Sequence, residues 1–326
     1  MIDTYGRKID YLRISVTDRC NLRCRYCMPE EGIENEGHSR MLSLEQIYRL
    51  VKIASQTGIS NVRLTGGEPL IRRNIVTLVD KIASLPGIND VSMTTNGILF
   101  PKMGEELKQA GLNRVNISLD TLNEDRYRYI TRRGELGDAI AAVHKAMEMD
   151  MQPVKINVVM IKGFNDDEIL DFAELAYNLP VHIRFIEFMP IGDLDFHTAD
   201  KCLSIGAVRE IIQQKYEFIE GAQVQGHGPA KYVKMAGGQG SLGFISAMSD
   251  HFCGSCNRIR MTADGKLRGC LYSYQEIDLR LALYNDCSDE QLRNLFVKAI
   301  LMKPAQHHML EGWGAENRRK MYQIGG

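Results

Sequence analysis

The stretch Cys20-Asn21-Leu22-Arg23-Cys24-Arg25-Tyr26-Cys27 places three cysteines within eight residues, with three residues in the first gap and two in the second. Thiols this close do not serve a relaxed disulfide framework. They can converge on one metal centre, because soft thiolates favour zinc, copper(I) or iron–sulfur iron. Three ligands are one short of a closed tetrahedral site, and a cysteine-held cluster normally takes four. An open position marks a reactive rather than a structural metal. Spacing alone leaves a zinc loop as the alternative.

Reading outward from this loop fixes an expected architecture. Tyr11 to Val16, just before it, alternates and is β-rich, which predicts a strand. The cysteines therefore sit at the C-terminal end of a strand, where α/β barrels and open sheets keep their sites. A helix follows from about Ser43 to Gln56, with Ser43 as N-cap and Gln46 completing a capping box. Strands are expected at Val62–Thr65, Val91–Thr95, Val115–Leu119, Val154–Met160 and Val181–Phe188. Helices are expected at Ile71–Ser84, Lys102–Ala110, Glu124–Tyr129, Leu136–Met149, Glu168–Tyr177 and Ser204–Lys215. Six strand–helix alternations imply an α/β fold with parallel strands and right-handed crossovers. The count is two short of a full barrel, and the pattern does not choose between an incomplete barrel and an open doubly wound sheet. From about Gly221 to Ser249 the chain becomes glycine-rich and reads as short strands and turns. The expected division is residues 1–225 and 226–326.

Composition narrows the function classes. The chain has 326 residues, 44% of them hydrophobic and 25% charged, enough for a full core in an ordinary globular protein. A net charge of −1 offers no global basic footprint for nucleic acid. No run of 18 apolar residues predicts a membrane span. Met1 to Arg7 has an early acid and no apolar core, so no signal peptide is expected and a cytoplasmic location is the default. Eight cysteines in that setting read as metal ligands before disulfides.

Two further groups matter. Gly66-Gly67-Glu68-Pro69 follows the second strand, where glycine lets the backbone approach a ligand closely. Cys253-x2-Cys256 and then Cys270 form a second triple. A zinc ribbon would want a second C-x2-C pair, although His251 could complete a Cys3His site. Cys202 and Cys287 stand apart, and buried free thiols are expected of them.

The first loop, with Tyr26 before its last cysteine, and the G-G-E-P turn resemble those of radical S-adenosylmethionine (SAM) enzymes. Several stretches extend the likeness: K-I-N-V-V-M-I-K-G-F-N-D, I-E-F-M-P, F-C-G-S-C-N-R-I-R-M-T-A-D-G-K-L-R-G-C-L and the terminal Gly-Gly. Nearly the whole chain resembles the GTP 3′,8-cyclase family, also known as the molybdenum cofactor biosynthesis protein A family. The resemblance implies an incomplete (β/α)6 barrel with a C-terminal extension. It implies two [4Fe-4S] clusters, one on Cys20, Cys24 and Cys27 and one on Cys253, Cys256 and Cys270. SAM would be held at Tyr26, Gly67, Ser118 and Met189. GTP would be held at Arg13, Arg63, Thr94, Lys155, Arg258 and Arg260, and its triphosphate suits arginine in particular. The tail residues Gly325 and Gly326 would enter the active site and be needed for activity, with Arg318 and Arg319 just upstream.

The implied reaction begins with reductive cleavage of SAM at the first cluster. The 5′-deoxyadenosyl radical takes hydrogen from C3′ of GTP, and the C3′ radical attacks C8 of guanine. Reduction then gives 3′,8-cyclo-7,8-dihydro-GTP, the first step toward the molybdenum cofactor. An electron donor is required, and a cyclic pyranopterin monophosphate synthase would receive the product. Homodimers are common in the family. Two other readings stay open on sequence: another radical SAM enzyme with an auxiliary cluster, such as a peptide-modifying maturase, and a zinc-binding interaction module.

Overall fold

The computed structural model describes residues 1–33, 41–191, 196, 198–309 and 319–325. Six parallel strands lie side by side in chain order: β1 (Tyr11–Ser15), β2 (Asn61–Thr65), β3 (Asp90–Thr95), β4 (Arg114–Ser118), β5 (Val154–Met160) and β6 (Val181–Glu187). Every residue of β2 and β3 is buried, as expected of parallel strands covered on both faces. The connecting helices are α1 (Leu44–Ser55), α2 (Ile75–Ala83), α3 (Phe100–Gln109), α4 (Glu124–Thr131), α5 (Leu136–Glu148), α6 (Ile169–Asn178) and α7 (Ile205–Gln213). Helix α1 starts where its capping box predicts: the Ser43 hydroxyl accepts from the Gln46 N–H while the Gln46 side chain accepts from the Ser43 N–H. Its Ile47, Leu50, Val51 and Ala54 stripe packs into the core.

Helix α2 begins later than its periodicity suggests. Pro69–Ile71 forms a separate 3-10 turn, with the Glu68 carboxylate accepting from Leu70 N–H. Asn74 then takes a left-handed conformation at φ 61°, which interrupts the helix that Ile71 would have started.

The larger departure lies beyond residue 215. The strands there are β7 (Phe218–Glu220), β8 (Lys231–Met235), β9 (Ser241–Ile245), β10 (Arg258–Met261), β11 (Lys266–Arg268) and β12 (Ile277–Asp278). Two of them extend the parallel sheet instead of forming only turns and short antiparallel pieces. β9 lies parallel to β6, and β10 lies parallel to β1 with Tyr11 opposite Arg258. The full order is β12-β11-β10-β1-β2-β3-β4-β5-β6-β9-β8-β7, so eight strands from β10 to β9 run the same way. β9 enters through Gly240, where a Cβ would lie 1.9 Å from the Val181 carbonyl oxygen. β9 and β10 are consecutive in the chain yet flank opposite edges of this parallel array. Residues 246–257 span the distance between them.

Helices α8 (Leu279–Tyr284), α9 (Asp289–Leu301) and α10 (Met321–Ile324) complete the described chain. Cys202 and Cys287 are half-buried rather than fully enclosed, and the Cys202 thiol donates to the Phe188 carbonyl at 3.3 Å. Among the described residues no helix is long and apolar enough to cross a membrane.

Candidate active site

The first cysteine loop leaves β1 and is fastened to the end of α4. Arg23 N–H donates to the Thr131 carbonyl at 3.0 Å, and Arg25 N–H to Ile130 at 2.9 Å. Within the loop, Cys27 and Met28 N–H both reach the Cys24 carbonyl at 2.9 Å. Burial pushes the Cys20 thiol up to about 11, with Glu68 adding to the rise, and the Cys27 thiol up to about 12, with the Cys20 sulfur adding to it. Cys24 is also raised well above the usual thiol range, by burial first and then by Cys27 and Cys20. Three half-buried sulfurs that repel one another as thiolates suit a cationic metal group, which would hold them deprotonated.

The G-G-E-P turn is zipped onto the same loop. Gly67 N–H donates to the Thr17 carbonyl and Glu68 N–H to the Arg19 carbonyl, both at 2.8 Å. A Cβ on Gly67 would sit 2.2 Å from the Arg19 oxygen, so only glycine permits this approach. The Glu68 carboxylate accepts from the Thr95 hydroxyl and the Asn96 N–H, each at 2.7 Å. Burial pushes this carboxyl up to about 7 against those hydrogen bonds. Asn96 in turn donates to the Asn21 side chain at 2.8 Å, so the ends of β2 and β3 hold the cysteine loop in place. On the other side, the Tyr26 hydroxyl donates to Asp120 at 2.6 Å, and Asp120 also accepts from Val159 N–H at 2.9 Å.

The second triple is assembled from three places. Cys253 lies in a short 3-10 turn, Phe252–Ser255, Cys256 precedes β10, and Cys270 follows β11. Burial raises the Cys253 thiol, while the His307 main-chain N–H bonds to it. Cys256 is different: burial alone would raise it, but Arg258 and Lys303 overcome that and bring it to about 6. His251 stacks edge-on against His307, with ring centroids 4.4 Å apart. Among the described residues no three Cys, His, Asp or Glu side chains close on a single metal ion. All six cysteines nevertheless line one cavity. Three thiols in each triple are a donor set suited to a cysteine-held iron–sulfur group with one position left open.

That cavity also brings together Tyr26, Gly67, Ser118 and Met189 with Arg13, Arg63, Thr94, Arg258 and Arg260. Lys155 stands outside it. It lines an adjoining recess with Gln223, Gly226 and Tyr232, and its ammonium donates to the Gln225 carbonyl. Burial, then Arg184, Arg114 and Arg63, lower its pKa to about 6.

Sequence reading passed over Arg184 and Arg114. Arg184 lines the cavity from β6, donates to Asn157, and has a buried Nε without a partner among the described residues. Arg114 pairs with Asp90, yet its Nε and one terminal nitrogen are buried and unpartnered in the same sense. Unfilled donors on buried guanidiniums are what an anion site requires. The available signal was an arginine set between two apolar residues, Ile183 and Phe185, in the middle of a strand.

The tail reaches the same cavity. Tyr322 N–H bonds to the Cys27 thiol, and the Gly325 carbonyl accepts from Arg260 at 3.0 Å. Gly325 has φ +84°, and a Cβ there would lie 2.7 Å from the Thr65 methyl. Arg319 anchors the approach, bonded to both oxygens of Asp264 and both of Glu276. Gly326 and Arg318 lie outside the described residues.

Comparison with known proteins places this geometry. Residues 14–176 match the Radical SAM superfamily, and residues 181–309 match Molybdenum Cofactor Synthesis C. A GTP 3′,8-cyclase of Syntrophomonas wolfei is 57% identical over 326 residues, covering all of both chains. One from Desulforamulus reducens is 51% identical over 327 residues, also at full coverage. The crystal structure of Streptococcus suis SuiB bound to S-adenosylmethionine is similar at a TM-score of 0.56 and 15% identity. That match spans 88% of this chain and 66% of SuiB, slightly under two-thirds of the longer protein, and speaks to the fold alone. The chain belongs to the radical SAM superfamily and, within it, to the GTP 3′,8-cyclase family.

Proposed function

We propose that this chain converts GTP to (8S)-3′,8-cyclo-7,8-dihydroguanosine 5′-triphosphate, the first step of molybdenum cofactor biosynthesis. The observation that carries this reading is one cavity lined by two separate cysteine triples and by Arg13, Arg63, Arg258 and Arg260. Cys20, Cys24 and Cys27 would hold one [4Fe-4S] cluster, and Cys253, Cys256 and Cys270 a second. When bound, the first cluster and SAM supply a 5′-deoxyadenosyl radical able to take hydrogen from C3′ of the ribose.

The protein's part is placement and shielding. Tyr26, Gly67, Ser118 and Met189 would surround SAM, with Tyr26 held by Asp120. The triphosphate, with about four negative charges, would be met by Arg13, Arg63, Arg258 and Arg260 in the cavity and by Lys155 from the adjoining recess. Arg184 would join that set, since it lines the same cavity and its Nε has no partner among the described residues. Thr94 would hydrogen-bond the substrate from β3. Gly325 and Gly326 would act by position: the Gly325 carbonyl meets Arg260, and a Cβ on Gly325 would clash with the Thr65 methyl. The segment between β9 and β10 contributes Ala247, Phe252, Cys253 and Cys256 to the cavity wall. In this division residues 1–225 would hold SAM and part of the substrate, and residues 226–326 the second cluster and the rest of the substrate contacts. An external electron donor, handover to a cyclic pyranopterin monophosphate synthase, a cytoplasmic setting and a homodimer complete the proposal.

The test is anaerobic reconstitution with iron and sulfide counting on wild type and on a Cys253→Ser, Cys256→Ser, Cys270→Ser variant. About eight iron per chain should fall to about four. With SAM, dithionite and GTP, the wild type should form 5′-deoxyadenosine, and it should form none when GTP is left out. Zinc in place of iron would sink the radical reading. Correct iron with no response to GTP would sink the substrate assignment alone.

A further inference from the structure

Lys303 lines the cavity but is only 3% exposed. Its ammonium donates to the Cys256 sulfur at 3.3 Å, the Arg258 carbonyl at 3.0 Å and the Gly269 carbonyl at 2.8 Å. An ammonium has three N–H donors, so all are engaged and none remains for a substrate phosphate. A buried cation needs a compensating negative charge. Among the described residues none of its three partners is a carboxylate, which leaves the cysteine sulfur as the source of that charge.

The same three bonds tie the Cys256 end of the triple to the residue before Cys270. Cys256 ends the loop from β9, the Arg258 carbonyl belongs to β10, and Gly269 adjoins Cys270 after β11. Gly269 is the residue that lets Lys303 so near, since a Cβ there would lie 3.0 Å from the Lys303 Cα. The segment cannot swing away. Arg7 donates to the Pro304 carbonyl at 2.8 Å, the Ala305 carbonyl at 3.0 Å and the Cys253 carbonyl at 2.9 Å. Arg258, the other cation beside Cys256, is assigned above to the triphosphate and is therefore shared with substrate. Lys303 is committed to the sulfur site whether or not substrate is present.

We propose that Lys303 is a positioning residue that holds the second cysteine triple together and raises the reduction potential of the cluster it carries. This rests on the two-cluster reading. Each electron added to a thiolate-held cluster makes it more negative, so a fixed cation bonded to a ligand sulfur favours the reduced form. Charge and hydrogen bonds to sulfur are the protein's levers on such potentials.

The experiment is a potentiometric titration followed by electron paramagnetic resonance, with iron counting, on reconstituted wild type and Lys303→Met. The Cys253, Cys256, Cys270 serine variant identifies the first cluster's signal, which serves as the internal standard for folding. In Lys303→Met the first signal should be unchanged. The second should either shift to a lower midpoint by at least a tenfold loss of preference for reduction, ~59 mV for one electron, or disappear as iron falls from about eight to about four. Lys303→Gln, which keeps a donor without the charge, is read by the same criteria if the methionine variant does not fold. Eight iron with both midpoints unchanged overturns the assignment alone. Four iron in the wild type overturns the two-cluster reading and this assignment with it.

Discussion

Binding of GTP should draw about one proton from solution, and Lys155 is the reason. In the empty site its pKa is brought to about 6, first by burial and then by Arg184, Arg114 and Arg63. At pH 8 roughly one Lys155 in a hundred is then charged, against nearly all for an ordinary lysine near 10.4. A triphosphate beside it reverses the balance, because an opposite charge at contact favours the ammonium. The terminal phosphate, with a last pKa near 6, is already ionised at pH 8 and contributes little to the exchange. Calorimetric titration of the reconstituted protein with GTP, without reductant, in buffers of different ionisation enthalpy should give an uptake of ~0.9–1 proton per GTP. Lys155→Arg should still bind GTP with an uptake near zero, since arginine stays charged throughout. Buffer-independent heats for the wild type, or equal uptake in both proteins, would refute the reasoning. The same shift has a sign in the unliganded protein. Between about pH 6 and pH 10 the folded state binds fewer protons at this residue than the unfolded chain does, so its contribution makes stability rise with pH across that window.

Two other substitutions test the site's scaffolding. Tyr26→Phe leaves the buried Asp120 carboxylate without its 2.6 Å donor and should cost about 1–3 kcal/mol by chemical denaturation; a change below about 0.5 kcal/mol would show that Asp120 does not depend on it. Gly325→Ala should keep full iron content but cut product yield at least tenfold, because alanine is strained at φ +84° by about 1–2 kcal/mol and its methyl would meet Thr65; turnover equal to wild type would remove the tail from the mechanism.

Much of the fold was legible because local patterns carry it. The β5 strand at Val154–Met160 and the Ser43 capping box match their expectation residue for residue. Both cysteine triples announced themselves through spacing, and the structure brings all six sulfurs to one cavity. What escaped was non-local. Nothing in Ser241–Ile245 or Arg258–Met261 says that their partners are β6 and β1. Lys155 was expected on the cavity wall, but its ammonium meets the Gln225 carbonyl. A main-chain acceptor leaves no trace in the sequence. Arg7 and Lys303 were missed for the same reason, since most of their partners are carbonyls. The late start of α2 turned on Asn74, whose tolerance of positive φ is a possibility in any sequence and a fact only in a structure.

The pairing of β10 with β1 also bears on how the protein is made. Tyr11 leaves the ribosome roughly 250 residues before the Arg258 that lies beside it. The first cysteine loop is thus synthesised long before the edge that lines the far side of its cavity, and the sheet stays open on that flank until the last quarter of the chain emerges. Closing so long a loop carries an entropic cost that grows only slowly with length, but it slows the search. The expected signature is in pulse-labelled refolding: amides of β2 to β5 should gain protection before those of β10. Simultaneous protection would mean that the edge forms with the core. In the cell, the interval before closure is when oxygen can reach Cys20, Cys24 and Cys27 most freely.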